Sequence, residues 1–506
     1  MTIEFTQPRP RHTRRVHHAR AAAGNAAVAD EAVGVLRDAL SGAAQIDRIL
    51  LKAAAGAGKS FVLARLVSDA VAHPQCAWVA IVAFTNKQIH PLAKSIGRNL
   101  GKERVCLFVS KERLADVPDD TAAHATVATS TAGIPPECAV VISTSHKLGA
   151  MGEAKRLREH LAPSRHEDHV FDVLFVDEAW QLPHHLFDKV AKIAPITVGV
   201  GDVGQLPPLE VSTNPWRGDP GYNPYRAWPT DFDTDERTWS VELPAVWRPA
   251  AGHLDLWRAF YPEWGELDCV AAPGDRALVI GAGLPDSIAG IWRQVGTGVP
   301  TLLEIDGLPA PEAADIDLPL MQTVESLLDG LLSVGFSLEQ AEYDGTGAPT
   351  GAVVTKRPGD RDGDPLITIL ATRNQAVDDA TDVVARLRAE YGLDDTDIVA
   401  STVDSWQGQT NGITIAIHPL NSAVALDEFN SAFGRLAVTC TRATHGLLMV
   451  TRPGLDRLLG ESPARPGTPF GEPGNRQLPR QTHQRILETF AHGILDTADR
   501  SAQPAS

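Results

Sequence analysis

The stretch VFDVLFVDEAWQLP, residues 170–183, opens with six residues of which five are apolar and then places two carboxylates, Asp177 and Glu178, side by side. The apolar run reads as a buried strand. Two acids at the rim of a core are unfavourable unless something there needs negative charge. The pair is followed by Ala179 and, two places on, by Gln181. What these acids face is the question from which the rest of the chain is read.

Similar apolar runs flank the stretch: RILLKA (48–53), WVAIVAF (78–84) and AVVIST (139–144) before it, and ITVGVGD (196–202) after it. Helical patterns lie between them, among them SFVLARLVSDAVAH and NKQIHPLAKSIGRNL. Continuous apolar strands alternating with amphipathic helices predict parallel sheets covered on both faces, an α/β fold. A Pro- and aromatic-rich segment (214–236) interrupts the pattern. It resumes with TLLEIDG (301–307), a helix at 319–334, LITILAT (366–372), DIVASTV (397–403), GITIAIH (412–418) and GLLMVT (446–451). The reading is a disordered basic arm at 1–24, a first domain at 25–238 and a second at 239–455. A Pro/Gly-rich linker with a short C-terminal helix then fills 456–506.

Composition narrows the function less than the motifs do. The 506 residues carry 46 Lys and Arg against 63 Asp and Glu, a net charge of −17, which removes any argument for nucleic acid from charge alone. The five cysteines (76, 106, 138, 269 and 440) show no C-x-x-C pair, which speaks against disulfides and structural zinc and fits a reducing cytoplasm. The pairs His17–His18 and His184–His185 lack metal-ligand spacing. No apolar run approaches the roughly 20 residues that cross a bilayer, so no membrane partner is expected.

LLKAAAGAGKSFVLARL (50–66) sets Gly56, Ala57, Gly58, Lys59 and Ser60 between a strand and a helix. Small residues let the backbone wrap a phosphate, and the helix N-terminus adds favourable potential. Lys59 would reach the β/γ-phosphates of ATP and Ser60 would bind Mg²⁺. Such loops work with a second strand whose terminal acid holds the same ion. Asp177 fits that role, and Glu178 is placed to orient and deprotonate an attacking water.

Gln181 gains a meaning from resemblance. DEAWQ resembles the D-E-A-x-Q motif II of superfamily 1 helicases, in the branch containing the nonsense-mediated-decay helicase. AFTNK (83–87) resembles motif Ia, VVISTSHKLG (140–149) the strand before motif II, and GDVGQLPP (201–208) motif III. LPAVWRPAAGHLDLWRAFY (243–261) resembles the family's L-x-x-x-Y-R stretch, STVDSWQGQT (401–410) motif V and GRLAVTCTRAT (434–444) motif VI. The resemblance runs from about residue 48 to 455 in the family's order. It implies two RecA-like parallel-sheet domains in tandem with an ATP cleft between them, and 5′-to-3′ movement on single-stranded DNA or RNA.

Carried over by position, Gln205 would sense the γ-phosphate, and Arg248 and Arg442 would reach it as arginine fingers. Trp247 stands where the family has tyrosine, to stack on adenine or to serve as a core anchor. Gly408 would line the cleft. Asn86, Thr144 and Thr402 would contact the nucleic-acid backbone. Thr410 replaces the acid of motif V, and no glutamine motif precedes the phosphate loop, Gln45 being badly spaced for one. Trp216, Tyr222, Tyr225 and Trp228 offer either base-stacking surfaces or pins for their own loop. Ile486, Leu487, Phe490 and Ile494 suit a helix that docks a protein partner or folds back on its own domain. The competing function is an ATP-gated switch that controls a protein partner without unwinding.

Overall fold

The computed structural model describes residues 3–10, 14–161, 163–164, 168–204, 208, 223–313, 315–361, 363–427, 429–462 and 479–497. Among these, a first sheet is built from β1 (Arg48–Ala53), β2 (Val79–Ala83), β3 (Val105–Phe108), β4 (Thr126–Ala128), β5 (Val140–Thr144), β6 (Val173–Asp177), β7 (Ile196–Gly201) and β8 (Thr238–Leu243). All pair in parallel, in the order β4-β3-β5-β2-β6-β7-β1-β8. Every residue of β2, β5 and β7 is buried, as strands covered on both faces require. Helices α1 (His18–Ser41), α2 (Lys59–Ala72) and α3 (Asn86–Leu100) belong to this half. The α2 helix buries Val62, Leu63, Leu66, Val67 and Ala70, a stripe at helical spacing.

A connecting region follows, with the short parallel pair β9 (Ala245–Val246) and β10 (Asp268–Cys269). Next comes an antiparallel unit of β11 (Arg276–Ile280), β13 (Phe336–Tyr343) and β14 (Pro349–Lys356). The second sheet holds β12 (Thr301–Asp306), β15 (Ile367–Ala371), β16 (Ile398–Thr402), β17 (Asn411–Ile417), β18 (Ala443–Thr451) and β19 (Ala491–Asp496), all parallel in the order β16-β15-β17-β18-β12-β19. The α/β class with two tandem RecA-like parallel-sheet domains is thus the architecture observed. Among the described residues no helix is long and apolar enough to cross a membrane.

Four expectations need correction. The basic arm of 1–24 is helical from His18, because Ala21, Ala22, Asn25, Ala29, Ala32, Val33, Leu36 and Leu40 form one buried face. Before the helix, Arg15 pairs with Asp255 at 2.8 Å and Thr6 bridges His492. The boundary at 238 falls where β8 joins the first sheet beside β1, so the first half runs further. Leu254, Trp257, Phe260 and Leu267 share a core with the phosphate-loop alanines. The predicted C-terminal helix is a helix only over Pro479–Leu487; the rest is β19, hydrogen-bonded along β12. Ile486 and Phe490 lie in the chain's own core, which removes them as a docking face for a protein partner.

The fourth correction concerns the aromatic segment. Trp228 is wholly buried and stacked on Phe187 with ring centroids 4.0 Å apart, so it is core rather than a surface for bases. Tyr225 meets the edge of His185. Trp216 and Tyr222 lie outside the described residues. The stretch 101–137 supplies β3 and β4, which widen the first sheet beyond β5.

Candidate active site

The C-terminal ends of the neighbouring strands β6, β7 and β1 lie side by side, and they bring Lys59, Asp177 and Glu178 together. Between β1 and α2 the loop turns through Gly56 (φ 75°) and Gly58 (φ 92°), left-handed conformations that glycine adopts without strain. Its backbone is held from three sides. Asn25 on α1 donates through Nδ2 to the carbonyls of Ala57 and Ala245, each at 2.8 Å, and its Oδ1 accepts the Ala245 N–H. Trp257 Nε1 donates to Ala55 O at 2.9 Å, and Tyr261 Oη accepts the Ala55 N–H at 3.2 Å. The Trp247 N–H donates to Gly56 O at 2.8 Å. A loop fixed in this way is pre-shaped for its ligand rather than folding around it.

Across from the loop stand the acids. Lys59 Nζ lies 2.5 Å from Glu178 Oε1. Glu178 itself has φ 49° and ψ 48°, a left-handed backbone uncommon outside glycine and of the kind that clusters at functional sites. Asp177 has no cationic side chain within 4 Å among the described residues. Burial, then the neighbouring Glu178, push its carboxyl well above the ordinary range, with Lys59 opposing. A carboxylate so placed suits a divalent cation, and Ser60, exposed in the first turn of α2, offers the hydroxyl. Asp202, at the end of β7, accepts from the Gly204 N–H (2.9 Å) and from Tyr261 Oη (2.8 Å), and burial raises its carboxyl too.

Two cations approach the loop, Arg442 from the second half and Arg248 from the connecting region. Arg442 is completely buried. Its Nη2 donates to Thr441 Oγ1 at 2.9 Å and its Nη1 to Gln409 O at 3.4 Å, while Nε has no partner. Arg248 donates to Thr441 O at 3.2 Å. Neither arginine has a carboxylate within 4 Å among the described residues. Burial, then repulsion from Arg248, bring Arg442 down to about 9, and Asp202, Tyr261 and Glu178 oppose the shift. Arg442 therefore stays charged at neutral pH. Two neighbouring guanidinium groups with no carboxylate in direct contact make an electrostatic socket for an anion.

The remaining expectations divide. Gly408 (φ 82°) is exposed one residue before Gln409, whose carbonyl Arg442 reaches, so it lies beside the site. Trp247 packs against the cluster of Ala21, Ala22, Ala245 and Val270, the anchoring reading, and keeps its indole edge beside Gly58. Asn86 opens α3 and Thr402 ends β16, both half-buried at the C-terminal edges of their sheets. Thr144 is buried and its hydroxyl caps the short helix 145–148 by accepting the Lys147 N–H at 3.3 Å. Gln205 lies outside the described residues. Sequence reasoning missed Asn25, Trp257, Tyr261 and Asp202. The last stood in the quoted GDVGQ, where only the glutamine was given a role.

Residues 37–210 match the family described as AAA domain. No curated protein matches the chain. Among solved structures, the chain is similar to the arterivirus nonstructural protein 10 helicase in complex with DNA, at 15% identity and a TM-score of 0.38, over 82% of this chain and 62% of that one. It is similar to the PRRSV helicase at 14% identity and a TM-score of 0.35, over 85% and 58% of the two chains. The Pyrococcus furiosus Hef helicase domain is matched at 11% identity and a TM-score of 0.35, over 84% and 95%. The chain thus spans under two thirds of the viral helicase chains it matches.

Proposed function

We propose that this chain is an ATP-driven motor on single-stranded nucleic acid, a helicase or translocase. The observation that carries the reading is Arg442: a wholly buried, charged guanidinium of the second half, without a carboxylate partner, in the electrostatic reach of Glu178 and Asp202 of the first. A triphosphate between the halves supplies the missing anion.

In this reading Gly56, Ala57 and Gly58 wrap the phosphates and Lys59 leaves Glu178 for the β/γ-phosphates. Glu178, released from its cation, takes a proton from the attacking water. Arg248 and Arg442 neutralise charge that develops on the γ-phosphate, and Gln205 senses it. Ser60 and Asp177 would hold Mg²⁺, which supplies charge neutralisation at the phosphates. Trp247 lies against the base through the indole edge left beside Gly58. Loss of the γ-phosphate removes what holds the arginines, so the halves relax apart. Asn86 and Thr402, one on each half, grip the strand and are drawn together and apart with each cycle.

The test is ATP hydrolysis by the purified chain alone, with single-stranded DNA and with single-stranded RNA, beside Glu178→Gln. Strong stimulation by one polymer, weakened by salt and abolished by the substitution, names the track. Hydrolysis that needs Glu178 but ignores both polymers replaces the motor with an ATP-gated switch acting on a protein partner.

A further inference from the structure

A line of side chains leaves the nucleotide site in a direction the reaction does not require. Gln181 Nε2 donates to Glu178 Oε2 at 3.1 Å. Gln88 Nε2 donates to Gln181 Oε1 at 3.0 Å, joining two residues 93 positions apart. Gln88 Oε1 accepts the backbone N–H of Thr85 at 2.9 Å and its hydroxyl at 3.1 Å. With Lys59 on the other carboxylate oxygen, the line runs unbroken from the phosphate loop to the turn that opens α3. Gln181 is buried, Gln88 half-buried and Thr85 exposed.

The two ends fix the direction of every bond between them. A carboxylate only accepts and a backbone N–H only donates. Glu178 therefore demands the NH₂ of Gln181, whose oxygen demands the NH₂ of Gln88, whose oxygen is left for Thr85. Neither amide can flip alone without setting two like atoms face to face. Gln88 is also bound to the helix start: it closes the capping box of α3 with Thr85. A shift of the Thr85–Asn86 turn must move Gln88, and so must strain or release the hold of Gln181 on Glu178.

We infer that Gln88 and Gln181 are positioning residues that set the orientation of the Glu178 carboxylate according to whether a nucleic-acid strand engages the Thr85–Asn86 turn. The inference rests on the motor reading above and deepens it: it names how the strand accelerates hydrolysis. Strand contact at the exposed turn locks the Thr85–Gln88 pair in place, Gln181 can no longer swing, and the carboxylate is held toward the attacking water.

Gln88→Glu is the deciding variant. Glutamate still accepts from Thr85 and keeps the capping box, but at neutral pH it has no proton to give Gln181. We expect the ratio of polymer-stimulated to basal kcat to fall by roughly tenfold, the scale of one intramolecular hydrogen bond, with KM for ATP retained. The melting temperature should hold within about 2 °C. Gln181→Met interrupts the same line, and the double variant should lose no more stimulation than either single one. Wild-type stimulation in Gln88→Glu, with loss only in Gln88→Leu, would reduce Gln88 to a helix cap and overturn the inference. Additive losses in the double variant would overturn it as well. A wild-type chain that no single-stranded DNA or RNA stimulates fails one step earlier, and the motor reading falls with it.

Discussion

Arg248 is seated directly on Gly56. Its N–H approaches the Gly56 carbonyl at 3.3 Å, and its Cβ occupies the space that a side chain on Gly56 would need. One glycine thus satisfies two demands, a left-handed turn of the phosphate loop and contact with an arginine from the connecting region. Gly56→Ala should lower kcat by roughly 10²-fold, as small misplacements of catalytic groups do. The left-handed placement also carries about 1–2 kcal/mol of strain. Steady-state hydrolysis beside thermal melting checks this; a near-wild-type kcat would mean that Arg248 does not act at the phosphates.

Arg442 should trade stability for activity. Its surroundings disfavour its charge on balance, since burial and Arg248 outweigh Asp202, Tyr261 and Glu178. Replacing a poorly compensated buried charge with an apolar side chain of similar length is often neutral or stabilising. Arg442→Met is therefore expected to melt at or above the wild-type temperature without nucleotide, while hydrolysis falls by about 10³–10⁵-fold. A variant that melts lower and still turns over would show Arg442 to be a packing residue.

Acid should loosen the C-terminal segment. His483, on the helix Pro479–Leu487, and His418, just after β17, are buried with ring centroids 5.7 Å apart. Burial depresses both, His483 to about 4 and His418 well below its ordinary value of 6.5. Between pH 6.5 and 4 the unfolded chain binds protons that the folded chain refuses. This stability is therefore complete above 6.5 and drains as pH falls toward 4. Melting followed from pH 7.5 to 4.5 should show a steep acid limb that is shallower in His483→Gln. An unchanged limb would assign acid sensitivity elsewhere.

The C-terminal strand separates packing from docking. Phe490 is buried in the main core, whereas Ile494 is 55% exposed on β19. Phe490→Ala should destabilise by about 3–5 kcal/mol, and Ile494→Ala by no more than about 0.5 kcal/mol. Chemical denaturation of the two variants reads the difference. Equal, small effects would restore the view of this segment as a surface for a partner.

The strands that were legible in sequence were those buried on both faces. VAIVA, VVIST and ITVGVG cannot be anything but interior, so β2, β5 and β7 emerge from local pattern alone. The phosphate loop and the acids of β6 were legible because their chemistry depends on a few residues at fixed spacing. What failed depended on distant pairing. AHGILD has apolar positions that suit a helix, and only the neighbouring β12 makes it a strand. The Ala-rich face of α1 carries little contrast between its sides, and its burial comes from the loop and β9 that Asn25 joins. Tyr261 and Trp257 reach the phosphate loop from more than 200 positions away, a proximity no local motif encodes.

Thr6 and His492 exchange backbone hydrogen bonds at 2.9 Å in each direction, and the Phe5 ring lies over Gly493, at the outer edge of the second sheet. A few residues later Arg14 and Arg15 are pinned by Glu266, Asp268 and Asp255, on the part of the connecting region that packs in the first half's core. The polypeptide therefore crosses from one half to the other twice: once through the long connecting region, and once through a leash from Thr6 to Arg14. Fully stretched, those eight steps reach about 29 Å at most. Any excursion of the two halves has to fit inside that length or strip the bonds at one end. In the proposed motor, the separation of the halves is thus limited by covalent chain as well as by the nucleotide.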